Sequence, residues 1–478
     1  MTDVLDEAIY LTNTLTRKKE KFVPIDPKEV RIYTCGPTVY RDIHIGNLRT
    51  YLMADIIKRI LIYNGYKVKH IKNITDVGHM RTDEGQGQAF DPIIVEALEQ
   101  GKTPQQIAET YTQKFLEDEK RLNILPADTF PKATEHIKEM IELTKRLVDK
   151  GYAYVTDGTI YFNVKKFKNY GQLSGNTLGK MDKLLEAVRV ATETDKKDSA
   201  DFALWKKAES GREMKWDSPW GEGFPGWHIE CSVMSMKYLG PSFDIHTGGE
   251  DNIFPHHEDE IAQSEAATGK KFVNFWIHGG FLLVDGKKMA RREGNVYTIF
   301  DIAKKGFSPL AFRYLVLTAH YRSRLNFTWD SLTAAESALN NLYREISLYA
   351  GQSQAKIGCA EFESRFLEAL NDDMNMPTAL AVVWALVKSN YPPSAKLKSL
   401  YKFDQVLGLG FEKVASETSN IPPEVRELVN ERENARSRGD FKDADKLRGK
   451  IREKGYEVID SETGQKLKKI VKGTKHKS

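Results

Sequence analysis

The sequence predicts an α/β chain built on a parallel sheet, interrupted by an insertion and followed by a helical region. Three observations predict it. Residues 29–74 run strand, loop, helix, strand; the same pattern resumes near 226 after a segment of different character; and from about 308 onward the pattern is almost wholly helical. Length agrees, because 478 residues exceed a single core and suggest about two to four domains of roughly 100–200 residues each.

The first strand is VRIYTCGP, broken by Gly36-Pro37. From Gly46 to Asn64 apolar residues recur at Leu48, Leu52, Ile56, Ile60 and Tyr63, a helical period with one buried face. Asn64-Gly65 is a favourable helix end, and YKVKHIKNIT then alternates as a second strand. Such a βαβ unit implies parallel strands with ligands at their carboxyl ends, where Cys35 and His44 fall. Residues 126–215 hold a helix-like ATEHIKEMIELTKRLVDKG, a β-like YAYVTDGTIYFNV turning at Asp157-Gly158, and the polar TETDKKDSADFALWKK, and read as an insertion. The α/β pattern returns at GWHIECSVMSMKYLG. WIHGGFLLVDGKKMARREGN adds a strand, a hairpin turn at Asp285-Gly286 and a Lys/Arg cluster. The stretch 408–424, GLGFEKVASETSNIPPE, reads as a linker to a small charged module.

Composition narrows the class. A hydrophobic content of 40 % with 10 % aromatics fits a soluble globular protein. No stretch approaches the ~20 apolar residues that span a bilayer. The N-terminal stretch is acidic and then basic, without an apolar core, so no secretory signal is read and the expected location is cytoplasmic. Cys35, Cys231 and Cys359 are too few and too dispersed for a disulfide framework; Cys359, in a polar loop, is expected to be a surface or half-buried thiol. The net charge is only +4, but the basic residues gather at the C-terminal end, an asymmetry that suits a polyanion as well as it suits a solvated helix and tail.

Two segments suggest phosphate chemistry. HIGN at 44–47 opens a helix, whose free N–H groups and partial positive charge suit phosphates. Taken alone the tetrapeptide fits a plain turn equally. KKMARREGN at 287–295 follows a hairpin, and its cations suit a pyrophosphate leaving group, or simply solvent. A third constellation is dispersed. Cys231 lies in GWHIEC, and His256 and Glu260 in FPHHEDE stand at i, i+4, so they share a helix face. With Cys35 they form a donor set suited to Zn²⁺, although buried cysteines also serve as small hydrophobes. His257 is expected to point elsewhere on the helix.

In the order TCGPTVYRDIHIGNLRTY, NITDVGH, GWHIECSVMSMKYLG, FDIHTGGEDNIFPHHEDEIAQSEA, KKMARREGN, NFTWDSL, NDDMNMPTAL and RENARSRGDFKDADKLRGKIREKGYEVID, the chain resembles class I aminoacyl-tRNA synthetases. Among them it most resembles the cysteine–tRNA ligases, along nearly its whole length. The resemblance implies a Rossmann-like catalytic domain in two halves, 1–125 and 216–307, around a connective insertion at 126–215. A stem-contact region and helical bundle at 308–423 and an anticodon-binding module at 424–478 would follow.

It also implies site residues. Cys35, Cys231, His256 and Glu260 are then the ligands of one Zn²⁺, with the substrate thiol as an added ligand. Gly36, Thr75, Trp227 and His246 belong to the amino-acid pocket. Thr38, His44, Gly46, Asn47, Gly249, Asp251, Lys288 and Arg291 bind ATP with its Mg²⁺, and His44, Asn47, Lys288 and Arg291 stabilise the reacting phosphates. The implied partners are L-cysteine, ATP and tRNA(Cys), with no membrane, and a monomer is expected. Two departures stand out. Asn47 replaces the second histidine of the family's HIGH, and Lys288-Met289-Ala290-Arg291-Arg292 replaces KMSKS. Arg291 keeps a charge but as a fork, not a point. Two other readings stay open: a ligase joining cysteine to a small amine such as a sugar, which the module at 424–478 argues against, and a non-catalytic tRNA-binding descendant, motivated by Asn47 and Arg292.

Overall fold

The computed structural model describes residues 8–78, 81–82, 89–176, 180, 196–290, 293–350, 355–419, 422–461 and 464–469. The chain forms two compact units: Met1–Ile302 with Ala319–Asn326 and Ala369–Asn375, and Ala303–Thr318 with Phe327–Glu368 and Met376–Ser478.

The first unit is built on a parallel four-stranded sheet. Strand β1 (Glu29–Thr34) leads through a loop to helix α1 (Ile45–Tyr63), which returns to β2 (Lys67–Lys72). Helix α2 (Trp227–Leu239), β3 (Phe243–Gly249), α3 (Glu258–Thr268) and β4 (Val273–Gly279) complete it in the order β4-β3-β1-β2. All three pairings are parallel, as the βαβ reading requires. The strands are apolar where they lie between helices, with Val30, Ile32, Tyr33, Ile71, Phe243 and Ile245 essentially without exposure. Helix α1 ends as its sequence predicts, at Asn64 followed by Gly65 with φ +87°.

Between the halves, a helix (Ile137–Asp149) and an antiparallel sheet form the insertion. Its hairpin turns at Asp157 (φ 46°) and Gly158 (φ 81°), the left-handed pair that an Asp-Gly turn supplies. The polar segment ends in a strand, Phe202–Lys207, which joins this sheet and pairs with Gly223–Pro225. A second Asp-Gly turn, at Asp285 (φ 49°) and Gly286 (φ 76°), joins Leu282–Val284 to Lys287–Lys288.

The second unit is helical until an antiparallel hairpin, Tyr456–Ser461 with Gly464–Lys469. Two expectations need correction here. The stretch 408–424 contains a helix, Phe411–Ser419, because Phe411 and Ala415 repeat at i, i+4 and are buried. Cys359 is fully buried, its N–H donating to Ser399 Oγ (2.7 Å), so it is a core thiol and not a surface one. Among the described residues no helix is long and apolar enough to cross a membrane.

Candidate functional site

The carboxyl ends of the four strands open into one cleft of about 460 Å³. Cys35, Gly36 and Thr38 reach it from β1, Asn73 and Thr75 from β2, Gly248, Gly249 and Asp251 from β3, and Gly279 and Gly280 from β4. Trp227 and Cys231 enter from α2, His44, Gly46 and Asn47 from α1, and Lys288 and Met289 from the hairpin. Both sequence motifs and three of the four residues of the metal constellation (Cys35, Cys231 and His256) therefore share one cavity.

His44 is the N-cap of α1 in extended backbone. The Asn47 N–H donates to His44 Nδ1 (3.3 Å), and the His44 N–H donates to Asn47 Oδ1 (3.4 Å). This is a capping box with unusual members, and it gives Asn47 a structural role that a bare alignment of motifs does not show. With Nδ1 accepting, a neutral His44 carries its proton on Nε2. A Cβ at Gly46 would lie 2.3 Å from Met289 Cε and 3.0 Å from His44 Nδ1, so a side chain there would have to displace the end of Met289. Lys288 is exposed and lies 4.6 Å from the Phe281 ring centroid on the same wall. Asp251 is exposed beside Gly249, where a Cβ would meet Asp251 Oδ1 at 2.4 Å. Arg291 and Arg292 lie outside the described residues.

The same cleft borders a buried donor cluster. Cys35 Sγ stands 3.6 Å from Cys231 Sγ, 3.5 Å from His256 Nε2 and 3.7 Å from Glu260 Oε1. His256 Nε2 and Glu260 Oε1 are 3.0 Å apart, as their i, i+4 spacing requires. Two thiolates about 2.3 Å from one tetrahedral ion would be about 3.8 Å apart, and a thiolate and an imidazole about 3.6 Å apart, so the spacings around Cys35 are compatible with zinc, Cys231 standing in contact with Cys35 but outside the group of mutually close donors. His257 does not point away. Its Nε2 is 3.3 Å from Cys35 Sγ, and Cys35, His256, His257 and Glu260 bring one donor atom each within 4.8 Å of one another. His256 precedes Glu260 by four residues and His257 by three, both spacings that share a helix face, and the break in helical backbone lies before them at Phe254 (φ −141°). The structure thus supplies a fifth donor that i, i+4 reasoning discards.

The surroundings orient these groups. His257 Nδ1 pairs with His278 Nε2 (2.7 Å), whose Nδ1 pairs with Thr14 Oγ1 (2.8 Å). His256 Nδ1 meets His228 Nδ1 (2.9 Å), and Asp259 Oδ2 lies 3.2 Å from His228 Nε2. Burial opposes charge on Glu260, but His246 and His256 outweigh it and hold the carboxyl at about 2. Burial likewise opposes protonation of His256, yet Glu260 and Cys231 push it up to about 10. Burial drives the Cys35 thiol well above its usual range, with Cys231 adding to the effect. His278, buried and beside His246, falls to about 3.

His246 does not line the cleft. It is fully buried behind Glu260, donating from Nε2 at 3.0 Å to Oε2 and stacked on Trp276. Trp227 is 39 % exposed and stacks on His256 with ring centroids 4.1 Å apart, so it covers the cluster from the solvent side. Gly36 packs directly on the Asn73 backbone, and its N–H donates to Asn73 Oδ1 (2.8 Å). Asn73, Glu230 and Phe281 were not singled out from sequence. Asn73 stands within NITDVGH, but nothing in that string shows that its amide faces Gly36.

A family model described as "tRNA synthetases class I (C) catalytic domain" matches residues 21–337, and one described as "Cysteinyl-tRNA ligase anticodon binding domain" matches residues 418–466. The chain is 44 % identical to Cysteine–tRNA ligase 1 of Burkholderia lata, covering 96 % of each. It is 42 % identical to Cysteine–tRNA ligase of Thermococcus onnurineus, covering 97 % of this chain and 99 % of that one. It is 41 % identical to Cysteine–tRNA ligase of Caldicellulosiruptor saccharolyticus, covering 96 % and 99 %. Among solved structures, methionyl-tRNA synthetase of Mycobacterium tuberculosis in complex with methionyl-adenylate superposes with a TM-score of 0.55 at 16 % identity, covering 84 % of this chain and 95 % of that one. That likeness concerns the fold.

Proposed function

The chain belongs to the cysteine–tRNA ligase family, and on that premise we propose how its cleft joins cysteine to tRNA at the expense of ATP. ATP lies with its phosphates at the N-terminus of α1, held by the His44 Nε2–H and the Asn47 side-chain amide, with Thr38 beside them. Gly46 leaves the backbone open to close approach, and Gly249 and Asp251 take the ribose. The cysteine carboxylate attacks the α-phosphorus in line, the bond to the β-phosphate oxygen breaks, and pyrophosphate leaves with the electron pair. Lys288 and Arg291, with the Mg²⁺ that accompanies ATP, balance the charge on that leaving group. The terminal ribose hydroxyl of tRNA(Cys) then takes the acyl group and AMP departs. No protein nucleophile is required; positioning and charge complementarity do the catalysis.

Cys35, Cys231, His256 and Glu260 would hold one Zn²⁺ per chain, with His257 as an adjacent fifth donor anchored by His278. When bound, the ion offers a soft partner for the substrate thiol that a serine hydroxyl matches poorly. Gly36, Thr75 and Trp227 bound the same pocket, and His246 holds Glu260 from behind. The helical region and the module at 424–478 take the tRNA body and anticodon by stacking and unpaired base edges. We read the protein as a cytoplasmic monomer. The matched anticodon-binding domain favours this reading over a sugar ligase.

One observation carries the proposal: the His44–Asn47 cap and the Cys35–Cys231–His256 cluster line the same cavity. Cysteine-dependent ATP–pyrophosphate exchange tests it, followed by charging of tRNA with labelled cysteine. Absence of exchange by zinc-loaded protein would refute the enzyme assignment. Cys231→Ser should lose most of its zinc, and unchanged content would refute that ligand.

A further inference from the structure

We propose that Glu230 is a positioning residue that fixes the polarity of the Thr75 hydroxyl, so that this wall of the cleft accepts hydrogen bonds and selects the ammonium group of the amino acid. The inference rests on the cleft being the amino-acid site.

Thr75 is almost fully buried yet lines the cleft. Its backbone is already engaged: the N–H donates to Pro37 O (3.0 Å) and the carbonyl accepts from the Val39 N–H (3.1 Å). The hydroxyl is the other polar group it offers. That hydroxyl donates to Glu230 Oε2 (2.9 Å) and accepts from Asn73 Nδ2 (3.1 Å). A hydroxyl has one proton and two lone pairs. The proton is committed, one lone pair is filled, and the other is left for the cleft.

Neither neighbour can reverse this order without loss. The hydroxyl already donates to Glu230 Oε2. Asn73 Oδ1 accepts the Gly36 N–H at 2.8 Å, so flipping its amide would put a donor against a donor. The bonds therefore run in one direction, from the Gly36 N–H through Asn73 and Thr75 to Glu230. Glu230 is fully buried on α2, one residue before Cys231. An ammonium group brings three donors to the lone pair that the hydroxyl has left. A carboxylate, an acceptor only, meets an acceptor there and is turned away from this wall.

Glu230→Leu removes the acceptor from Thr75 Oγ1, which frees the hydroxyl proton to turn toward the cleft. Three thiols separate the consequences. Cysteine carries both poles, cysteamine carries the ammonium without the carboxylate, and 3-mercaptopropionate carries the carboxylate without the ammonium. Their affinities are read as KM for cysteine and as inhibition constants for the other two in pyrophosphate exchange, on full-length, zinc-assayed protein. In Glu230→Leu and in Thr75→Val, cysteine and cysteamine weaken by about tenfold or more, while 3-mercaptopropionate and KM for ATP stay within about twofold; Thr75→Ser, which keeps the hydroxyl, weakens cysteine less than Thr75→Val. Equal weakening of all three thiols, or weakening of none, overturns the proposal. Wild-type protein without cysteine-dependent exchange overturns the functional reading beneath it. An active wild type with an unaltered Glu230→Leu overturns this inference alone.

Discussion

Gly36→Ala should destroy the metal site without touching a ligand. A Cβ on residue 36 would lie 1.6 Å from the Asn73 carbonyl oxygen and 2.7 Å from its carbon. Ordinary contact needs about twice the first distance, so one backbone must retreat by about 1.5 Å. The Asn73 side is pinned, because the next two residues bond to Pro131 O (2.8 Å) and Pro37 O (3.0 Å). The loop of Cys35 moves instead. Metal–ligand distances tolerate only about 0.2 Å, so Cys35 leaves the set. Loss of a supporting partner alone costs about 10–100-fold in metal affinity, and loss of a ligand should exceed about 100-fold. Stability falls by about 1–3 kcal/mol from overpacking. Zinc content after dialysis against a chelator and KM for cysteine read the effect. Gly65→Ala is the control: its φ of +87° makes alanine cost about 1 kcal/mol, but a Cβ there meets nothing within 4 Å, and zinc should stay. Gly36→Ala protein that keeps one zinc per chain with an unchanged cysteine KM would refute the reasoning.

Three further expectations concern other parts of the chain. Asn47→Ala removes half of the cap, about 0.5–1 kcal/mol, and should raise KM for ATP several-fold while sparing KM for cysteine. Asn47→Asp keeps the cap but sets a negative charge beside the phosphates, so exchange should fall further still. Arg432 is buried and grips Asp460 through two bonds of 2.9 and 2.8 Å. Arg432→Ala should loosen the C-terminal module by about 2–4 kcal/mol, allowing for the partial exposure of Asp460; tRNA charging would be lost while exchange persists. Burial, with Asp42 and Glu117 adding to it and Arg121 opposing it, raises Asp118 from 3.8 to about 6. The folded state therefore binds this proton more tightly, and ionisation between about pH 4 and 6 costs stability. Asp118→Asn should be more stable than wild type by about 1 kcal/mol at pH 8, after discounting for partial exposure, with no gain at pH 3.5. Denaturant unfolding at both values measures it.

What was legible in the sequence was local. Alternation and helical spacing disclosed β1, α1 and β2, Asp-Gly pairs disclosed two hairpins, and i, i+4 spacing disclosed His256 with Glu260. What was not legible depends on how separate strands align. The parallel register sets Thr34 opposite Lys72, which carries Cys35-Gly36 past the end of β1 alongside Asn73 past the end of β2. No property of either segment alone announces that meeting, yet it makes residue 36 a glycine and aims the Asn73 amide at Thr75. His257 was set aside although it stands at i, i+3 from Glu260, a spacing that shares a helix face just as i, i+4 does. His246 was placed on the pocket wall, but the pleat of β3 turns its ring toward Glu260. In each case the residue type was informative and its direction was not. Direction comes from register, and register is settled by burial on both faces of the sheet. The chemistry of this cleft therefore depends as much on the Thr34–Lys72 alignment as on the cysteines and histidines themselves. A one-residue slip would turn Asn73 and Thr75 to the opposite face and leave Gly36 without the partner that holds Cys35 in place.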